Sequence, residues 1–242
     1  MRIIVCKDYE ELSQKAAKMV ASVVTLNPSC VLGLATGSTP VGTYQELIRL
    51  YNAGEVDFSD VTTFNLDEYY PIAPENPQSY HYFMRQNLFD HINIRPENTH
   101  IPNGMAKDTG EECRQYEEEI AAKGGIDLQI LGIGQNGHIG FNEPDDNLNT
   151  STHLTALTES TISANSRFFE KKEDVPQQAL TMGISTILRS KKILLLANGK
   201  AKHPVVRELL TEDINTEIPA TLLKVHRDVV LLCDKEAYEG AL

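Results

Sequence analysis

The regular alternation of short apolar runs with amphipathic helical segments is the feature that most constrains the fold of this chain. Helices are predicted from Asp8 to Leu26, up to Leu50, and at residues 79–92 and 111–123. Strands that are apolar throughout and separated by helices are buried on both faces, which predicts an α/β protein with a mostly parallel sheet. No repeat, linker or break in composition divides the chain, which favours one domain over residues 1–242. The predicted strands cover residues 2–6, 30–35, 61–66, 126–133, 193–197 and 229–233.

Composition and charge exclude several functional classes. With 22 basic and 34 acidic residues the net charge is −12, and such a surface repels nucleic acids and anionic membranes. No apolar run is long enough for a membrane span, and the N-terminal apolar stretch is too short for a signal peptide. The four cysteines are far apart and form no CxxC pair, which indicates a reducing compartment. We therefore expect a cytoplasmic protein with a small-molecule partner.

A Gly/Ser/Thr turn follows the second predicted strand, in the sequence LGLATGSTPVGTY. Ligands of a parallel sheet bind at the carboxyl ends of its strands, where this turn lies. Gly37 permits close backbone approach, Ser38 and Thr39 carry hydroxyl donors, and the next helix directs N–H groups at one point. These features suit a phosphate. An ordinary helix start with Pro40 in its first turn explains the same residues at least as well.

Two carboxylates follow the third predicted strand, in the sequence FNLDEYY. Asp67, at the carboxyl end of the strand and followed by Glu68, is a candidate general base whose pKa partial burial would raise. A helix N-cap or a solvated turn is the alternative interpretation.

The densest polar segment is DLQILGIGQNGHIGFNEPDD, after the predicted strand at 126–133. Its glycines match the GxGxxG dinucleotide fingerprint, but that motif requires a following helix, and Pro144 disfavours one. What remains is His138 with Glu143 and Asn136 on a glycine-rich loop. A histidine beside a carboxylate is suited to proton transfer near neutral pH, and the alternative is a structural histidine bonded to backbone.

Two cations stand out in this acidic chain. Arg167 lies between polar and aromatic residues in SANSRFFE, and Lys200 follows the predicted strand at 193–197, where a helix begins. Either side chain suits a phosphate, although each is also explained as an ordinary surface cation. The remaining histidines show no metal-ligand spacing, so no metal site is predicted.

Several segments, taken together, resemble one known family. In chain order they are LGLATGSTPVGTY, FNLDEYY, PNG, LLGIGQNGHIGFNEP, ANSRFF, ALTMGISTIL and GKAK. In that order and spacing they resemble the glucosamine-6-phosphate deaminase family, most specifically through GQNGHIGFNEP and FNLDEY. The resemblance implies a modified doubly wound (Rossmann-like) α/β fold with helices on both faces. It also implies conversion of glucosamine 6-phosphate and water to fructose 6-phosphate and ammonia, without metal or organic cofactor.

The resemblance also implies roles for individual residues. His138 would move protons between O1 and the ring oxygen to open the sugar, and Glu143 would orient His138. Asp67 would take the C2 proton and return it at C1. Asn136 stands where some members carry aspartate, and because an amide cannot accept a proton it would only orient. The substrate phosphate would be held by Gly37, Ser38, Thr39, Arg167 and Lys200.

The allosteric, hexameric members of the family differ from this chain at two matching positions. In those members an arginine and a lysine bind an allosteric effector, an acetylated amino-sugar phosphate, between subunits. This chain has His153 and Thr155 at those positions, and it ends at Leu242, whereas those members have a longer C-terminal tail. We therefore expect an enzyme without the allosteric switch, as a monomer or small homo-oligomer.

Two other functions are compatible with parts of the pattern. A 6-phosphogluconolactonase shares the implied fold and a glycine-rich loop with histidine, but it needs no C2 base, so the carboxylates of NLDEY favour the deaminase. A sugar-phosphate sensor would bind without turnover, and such modules usually carry a DNA-binding segment or lack the acid/base pair. This chain has no basic arm and retains Asp67 and His138.

Overall fold

The computed structural model describes residues 1–166, 169 and 171–239. Its strands are β1 (Arg2–Cys6), β2 (Val31–Leu34), β3 (Thr62–Asn65), β4 (Asp67–Tyr70), β5 (Thr99–His100), β6 (Leu128–Gly132), β7 (His153–Ala156), β8 (Gln178–Thr181), β9 (Lys192–Ala197) and β10 (Val229–Asp234). Its helices are α1 (Tyr9–Leu26), α2 (Ser38–Asn52), α3 (Tyr80–Asn87), α4 (Thr109–Ala122), α5 (Glu159–Asn165), α6 (Ile184–Leu188), α7 (His203–Thr211) and α8 (Lys235–Tyr238).

A seven-stranded parallel sheet forms the centre of the fold, in the order β1-β10-β9-β6-β2-β3-β5. The chain runs outward from β2 through β3 to β5 and then returns to β6, from which it continues in the opposite direction to β9 and β10. The carboxyl ends of β2 and β6 therefore flank the topological switch point, where open α/β sheets bind ligands. The prediction of an α/β fold with a mostly parallel sheet is confirmed.

A second sheet, of three antiparallel strands in the order β4-β8-β7, was not predicted. Asp67 follows the carboxyl end of β3, as predicted, and after the single intervening residue Leu66 it begins β4. It is therefore neither a helix N-cap nor part of a solvated turn, which was the alternative interpretation. Leu66 joins the two sheets, because its N–H donates to Leu34 O at 2.9 Å and its carbonyl accepts from Met182 N at 2.8 Å.

Helix boundaries follow from local hydrogen bonding. Asp8 caps α1 as predicted, since its Oδ1 accepts from Glu11 N at 2.9 Å. The helix predicted at 79–92 is too long: α3 ends at Asn87 and a 3-10 turn follows over Phe89–His91. Asn87 Nδ2 donates to Phe83 O at 2.8 Å, and a side chain that takes a backbone carbonyl in this way competes with continuation of the helix.

The larger hydrophobic core contains buried residues from Cys6 to Ala237 and surrounds the parallel sheet. This shared core supports the prediction of one domain, which stays a prediction. A smaller core lies on the antiparallel sheet. All four cysteines are buried and free. Within the described ranges, no helix combines the length and apolar character needed to cross a membrane. The smaller core consists of Tyr69, Ile72, Phe141, Leu157 and Ala179.

Candidate active site

The turn after β2 brings two of the predicted phosphate-binding loops into contact. Gly37 has φ of +94°, a conformation that favours glycine, and it immediately precedes the first N–H groups of α2. Thr39 Oγ1 donates to Asn198 Oδ1 at 2.8 Å, which ties this turn to the loop after β9. Lys200 follows on that loop and is exposed. The structure therefore places the segments that carry Gly37, Ser38, Thr39 and Lys200 beside one another.

Arg167, the other predicted phosphate ligand, lies outside the described residues. Lys202 in the same GKAK segment was missed by sequence reasoning. Its Nζ donates to Ile133 O at 2.6 Å, at the carboxyl end of β6. The sequence alone does not show which of the two lysines of this segment, Lys200 or Lys202, lies closer to the switch point.

The loop after β6 brings His138, Glu143 and Asn136 together. His138 Nδ1 lies 3.2 Å from Glu143 Oε2, and Asn136 Nδ2 donates to the same oxygen at 2.7 Å. Glu143 is 8% exposed, and burial favours its protonated form. Hydrogen bonds and the His138 charge outweigh burial and lower the pKa of Glu143 to about 2. Glu143 is therefore an anion beside Nδ1 of His138, a position from which a carboxylate orients an imidazole.

Glycine is required in this loop for close packing. A Cβ atom on Gly134 would lie 2.4 Å from the His138 ring, so only glycine lets the imidazole lie against the backbone there. Gly140 has φ of +58°, and a Cβ atom there would lie 2.9 Å from Thr181 Oγ1 and 3.8 Å from Asp67 Oδ2. No helix lies between the GxGxxG segment and α5, which agrees with rejection of the dinucleotide fingerprint.

Asp67 faces the His138 loop from the antiparallel sheet. It is 6% exposed and pairs in register with Thr181 of β8, whose Oγ1 accepts from Phe141 N at 3.0 Å. Burial raises the pKa of the Asp67 carboxyl to about 8, and the charge of Glu68 adds to the rise. A buried carboxylate with a raised pKa is a stronger base than an exposed one.

Glu68, to which the sequence assigned no separate role, is fully buried and holds the start of α3. Its carboxylate accepts from Tyr80 N at 2.9 Å and from His81 N at 3.1 Å. Burial raises the pKa of Glu68 to about 7, although these hydrogen bonds oppose the rise. Tyr80 stacks beside Phe141, with ring centroids 6.3 Å apart, so Glu68 fixes an aromatic wall next to Asp67.

The arrangement combines the buried carboxyl group of Asp67, a histidine beside a carboxylate, and the predicted phosphate-binding turn at one sheet edge. Such an arrangement has the chemistry expected of a site that holds a phosphate at one end and transfers protons at the other. Among the described residues, no group of three or more His, Cys, Asp or Glu side chains is arranged to hold a metal ion.

Several known proteins are similar to this chain along almost its whole length. The family of glucosamine-6-phosphate isomerases and 6-phosphogluconolactonases matches residues 7–232. The chain is 58% identical over 237 residues to the glucosamine-6-phosphate deaminase of Halothermothrix orenii, with 98% of each chain covered. It matches the structure of a monomeric glucosamine-6-phosphate deaminase with a TM-score of 0.96, at 49% identity and with 98% of each chain covered.

A more distant structure shares the fold alone. The 6-phosphogluconolactonase from Trypanosoma cruzi is 20% identical, with a TM-score of 0.78 and coverage of 99% of this chain and 96% of that chain. The high identity to the deaminases confirms the resemblance that the sequence motifs predict.

Proposed function

The chain belongs to the family of glucosamine-6-phosphate isomerases and 6-phosphogluconolactonases, and we propose that it is a glucosamine-6-phosphate deaminase. The reaction converts glucosamine 6-phosphate and water to fructose 6-phosphate and ammonia. The observation that carries the proposal is that buried Asp67 faces the loop of the His138–Glu143 pair at one sheet edge. An isomerisation between adjacent carbons needs a base for carbon and a second group for the ring oxygen.

His138 carries the ring-opening step in this proposal. Glu143 accepts from Nδ1–H, so Nε2 is the atom that takes the proton of O1 and delivers it to the ring oxygen. The C1–O5 bond breaks as the C1 carbonyl forms. Because Glu143 has a pKa of about 2, it stays ionised and stabilises the imidazolium that exists between the two transfers.

Asp67 carries the carbon chemistry. Its carboxylate takes the C2 proton of the open aldehyde to give an enolamine, and then returns the proton at C1 to give an imine at C2. Water adds to that imine and ammonia leaves. The substrate's protonated amino group, held beside Asp67, favours the carboxylate form that the burial of the empty site disfavours.

The alternative function is that of a 6-phosphogluconolactonase, an enzyme whose fold the chain shares at 20% sequence identity. Lactone hydrolysis needs no base for C2, and a buried Asp67 with a pKa of about 8 has no use in it. Ammonia release from glucosamine 6-phosphate, measured beside hydrolysis of 6-phosphogluconolactone, separates the two. A sugar-phosphate sensor would show neither reaction.

The setting of the reaction is part of the proposal. A deaminase that yields ammonia and a ketose phosphate belongs to amino-sugar catabolism, here the use of N-acetylglucosamine, and we propose that the enzyme works in the cytoplasm. The acidic surface, with a net charge of −12, and the four free buried cysteines support that compartment.

Loss of the Lys200 cation is expected to weaken substrate binding. Lys200→Ala and Arg167→Ala should each raise KM by about 10- to 100-fold, the effect of losing a hydrogen bond to a charged group. Lys192→Ala is a matched control, because Lys192 lies at the opposite end of β9 and pairs with Asp228 at 2.6 Å. Steady-state kinetics of the three variants test this, and unphosphorylated glucosamine should be a very poor substrate. Equal turnover of glucosamine and its phosphate ester would contradict an anion-binding turn.

Hyperbolic kinetics are expected, without activation by N-acetylglucosamine 6-phosphate. Burial lowers the pKa of His153, although a hydrogen bond with Ser151 O opposes the fall, so this position is uncharged at neutral pH. Thr155, its neighbour on β7, carries no charge. A phosphate effector therefore lacks cationic donors at both positions.

Rate curves with and without the effector measure this directly, and light scattering measures the expected monomer or small oligomer. A sigmoidal curve that becomes hyperbolic on adding the effector would overturn the prediction. In that case Arg189→Ala would identify a substitute cation, since Arg189 lines the same cavity of about 670 Å³ as His153.

A further inference from the structure

Helix α5 contacts Glu143, the partner of His138, through the hydroxyl group of Thr161. Thr161 Oγ1 donates a hydrogen bond to Oε1 of Glu143, and Thr161 is 5% exposed. The other oxygen, Oε2, accepts from Asn136 at 2.7 Å and faces His138 Nδ1 at 3.2 Å. The two oxygens of one buried carboxylate are therefore held by donors from different parts of the chain.

The Thr161 hydroxyl is itself held in one direction. Thr158 is the N-cap of α5, and its Oγ1 accepts from Thr161 N at 3.3 Å. The Thr158 hydroxyl donates to Thr161 Oγ1 at 3.1 Å, which leaves the Thr161 proton for Glu143. Hydrogen bonds in such a chain polarise one another, and the last donor is strengthened.

We propose that Thr161 is a positioning residue for ring opening: its hydroxyl fixes the rotation of the Glu143 carboxylate and so sets the orientation and tautomer of His138. The last torsion of a glutamate side chain is broad and roughly two-fold, so the bond from Thr161 to Oε1, acting with that from Asn136 to Oε2, fixes where Oε2 points. His138 must direct Nδ1–H at Oε2 if Nε2 is to act on the sugar oxygens. The inference rests on the proposed function in one respect, that His138 acts on ring opening.

The experiment compares three single substitutions. Thr161→Val keeps the shape and removes the hydroxyl, whereas Thr161→Ser keeps the hydroxyl. Thr186→Val is the matched control, because Thr186 is also 5% exposed and donates to another carboxylate, that of Glu117, at 2.5 Å. Thermal unfolding of all three measures the cost of each change to stability.

Ammonia release from glucosamine 6-phosphate is expected to fall in Thr161→Val by about 10- to 100-fold in kcat/KM, the effect of losing one hydrogen bond to a charged group. Thr161→Ser should restore activity, and Thr186→Val should match the wild type. An analogue without the 4- and 5-hydroxyl groups can close neither a furanose nor a pyranose ring, so it should react alike in wild type and Thr161→Val. Equal losses on both substrates would show a structural role and overturn the inference.

A measurement without turnover keeps this result separate from the proposed function. The ¹⁵N shifts of the His138 ring, assigned by difference from His138→Gln, report its tautomer in the free enzyme. Thr161→Val should mix the two tautomers, and an unchanged pattern would contradict the positioning role even if the enzyme released no ammonia. A wild type without ammonia release would instead remove the proposed function. Should Thr161→Val fail to fold, the smaller Thr161→Ala takes its place in every comparison.

Discussion

Replacing Asp67 with asparagine is expected to lower kcat by about 10²–10⁴-fold, the usual contribution of a positioned acid or base. The amide keeps the shape of a side chain that is 6% exposed, so substrate binding should be largely retained. Ammonia release measures the overall rate. Exchange of the C2 hydrogen with deuterated water measures proton abstraction at C2, and this exchange should be lost in Asp67→Asn. Near wild-type turnover would remove Asp67 from the mechanism.

A matched control for this substitution is Asp60→Asn. Asp60 forms an exposed ion pair with Arg95 at 3.1 Å, and surface pairs contribute little. Asp60→Asn should keep both ammonia release and C2 exchange. Loss of activity in the control would attribute the effect in Asp67→Asn to the general cost of changing an aspartate.

Asp67→Asn is also expected to be more stable than the wild type at neutral and mildly alkaline pH. The pKa of Asp67 is about 8 in the folded chain, against a usual value of 3.8. Between these values the folded state holds a proton that the unfolded chain has released, so the stability of the wild type falls as pH rises. Urea unfolding from about pH 4 to about pH 8 should show a growing advantage for Asp67→Asn. A constant difference across that range would contradict the raised pKa.

The parallel sheet could be predicted from the sequence, and the antiparallel sheet could not. Strands such as β9 are almost entirely apolar because both faces are covered, and that pattern is visible in the sequence. β4 begins with two carboxylates, and β7 and β8 mix polar and apolar residues without clear alternation. Their pairing depends on contacts between distant segments, which no local pattern records.

The candidate site divides in the same way. Asn136, His138 and Glu143 lie within one short loop, so their proximity could be predicted from the sequence. Thr161 lies 18 residues from Glu143, and the N–H groups that hold Glu68 come 12 and 13 residues later in the chain. Hydroxyl and backbone donors such as these are present everywhere in a sequence, and only the fold shows which of them reach a buried carboxylate.

Replacing His138 with glutamine is expected to cause the second large loss of activity, and this loss should be confined to the cyclic substrate. Glutamine cannot pass a proton between the sugar oxygens, so kcat/KM for glucosamine 6-phosphate should fall by about 10²–10⁴-fold. The analogue without the 4- and 5-hydroxyl groups stays open, enters the pathway after ring opening and should lose far less activity. His91→Gln, at an exposed histidine, is the matched control and should leave both rates unchanged.

Glu143→Gln separates orientation from proton transfer in this pair. In the native structure Glu143 Oε2 lies 3.2 Å from His138 Nδ1. The amide retains an oxygen that can accept from Nδ1–H at that place, but it loses the charge that stabilises the imidazolium. The defect should therefore resemble that of His138→Gln in its restriction to the cyclic substrate and be milder in size. Because both residues would act before the C2 proton is taken, C2 exchange in the ring-less analogue should survive both substitutions while Asp67→Asn abolishes it. Loss of that exchange in His138→Gln would mean that the histidine also serves Asp67, and that ring opening is not its separate task.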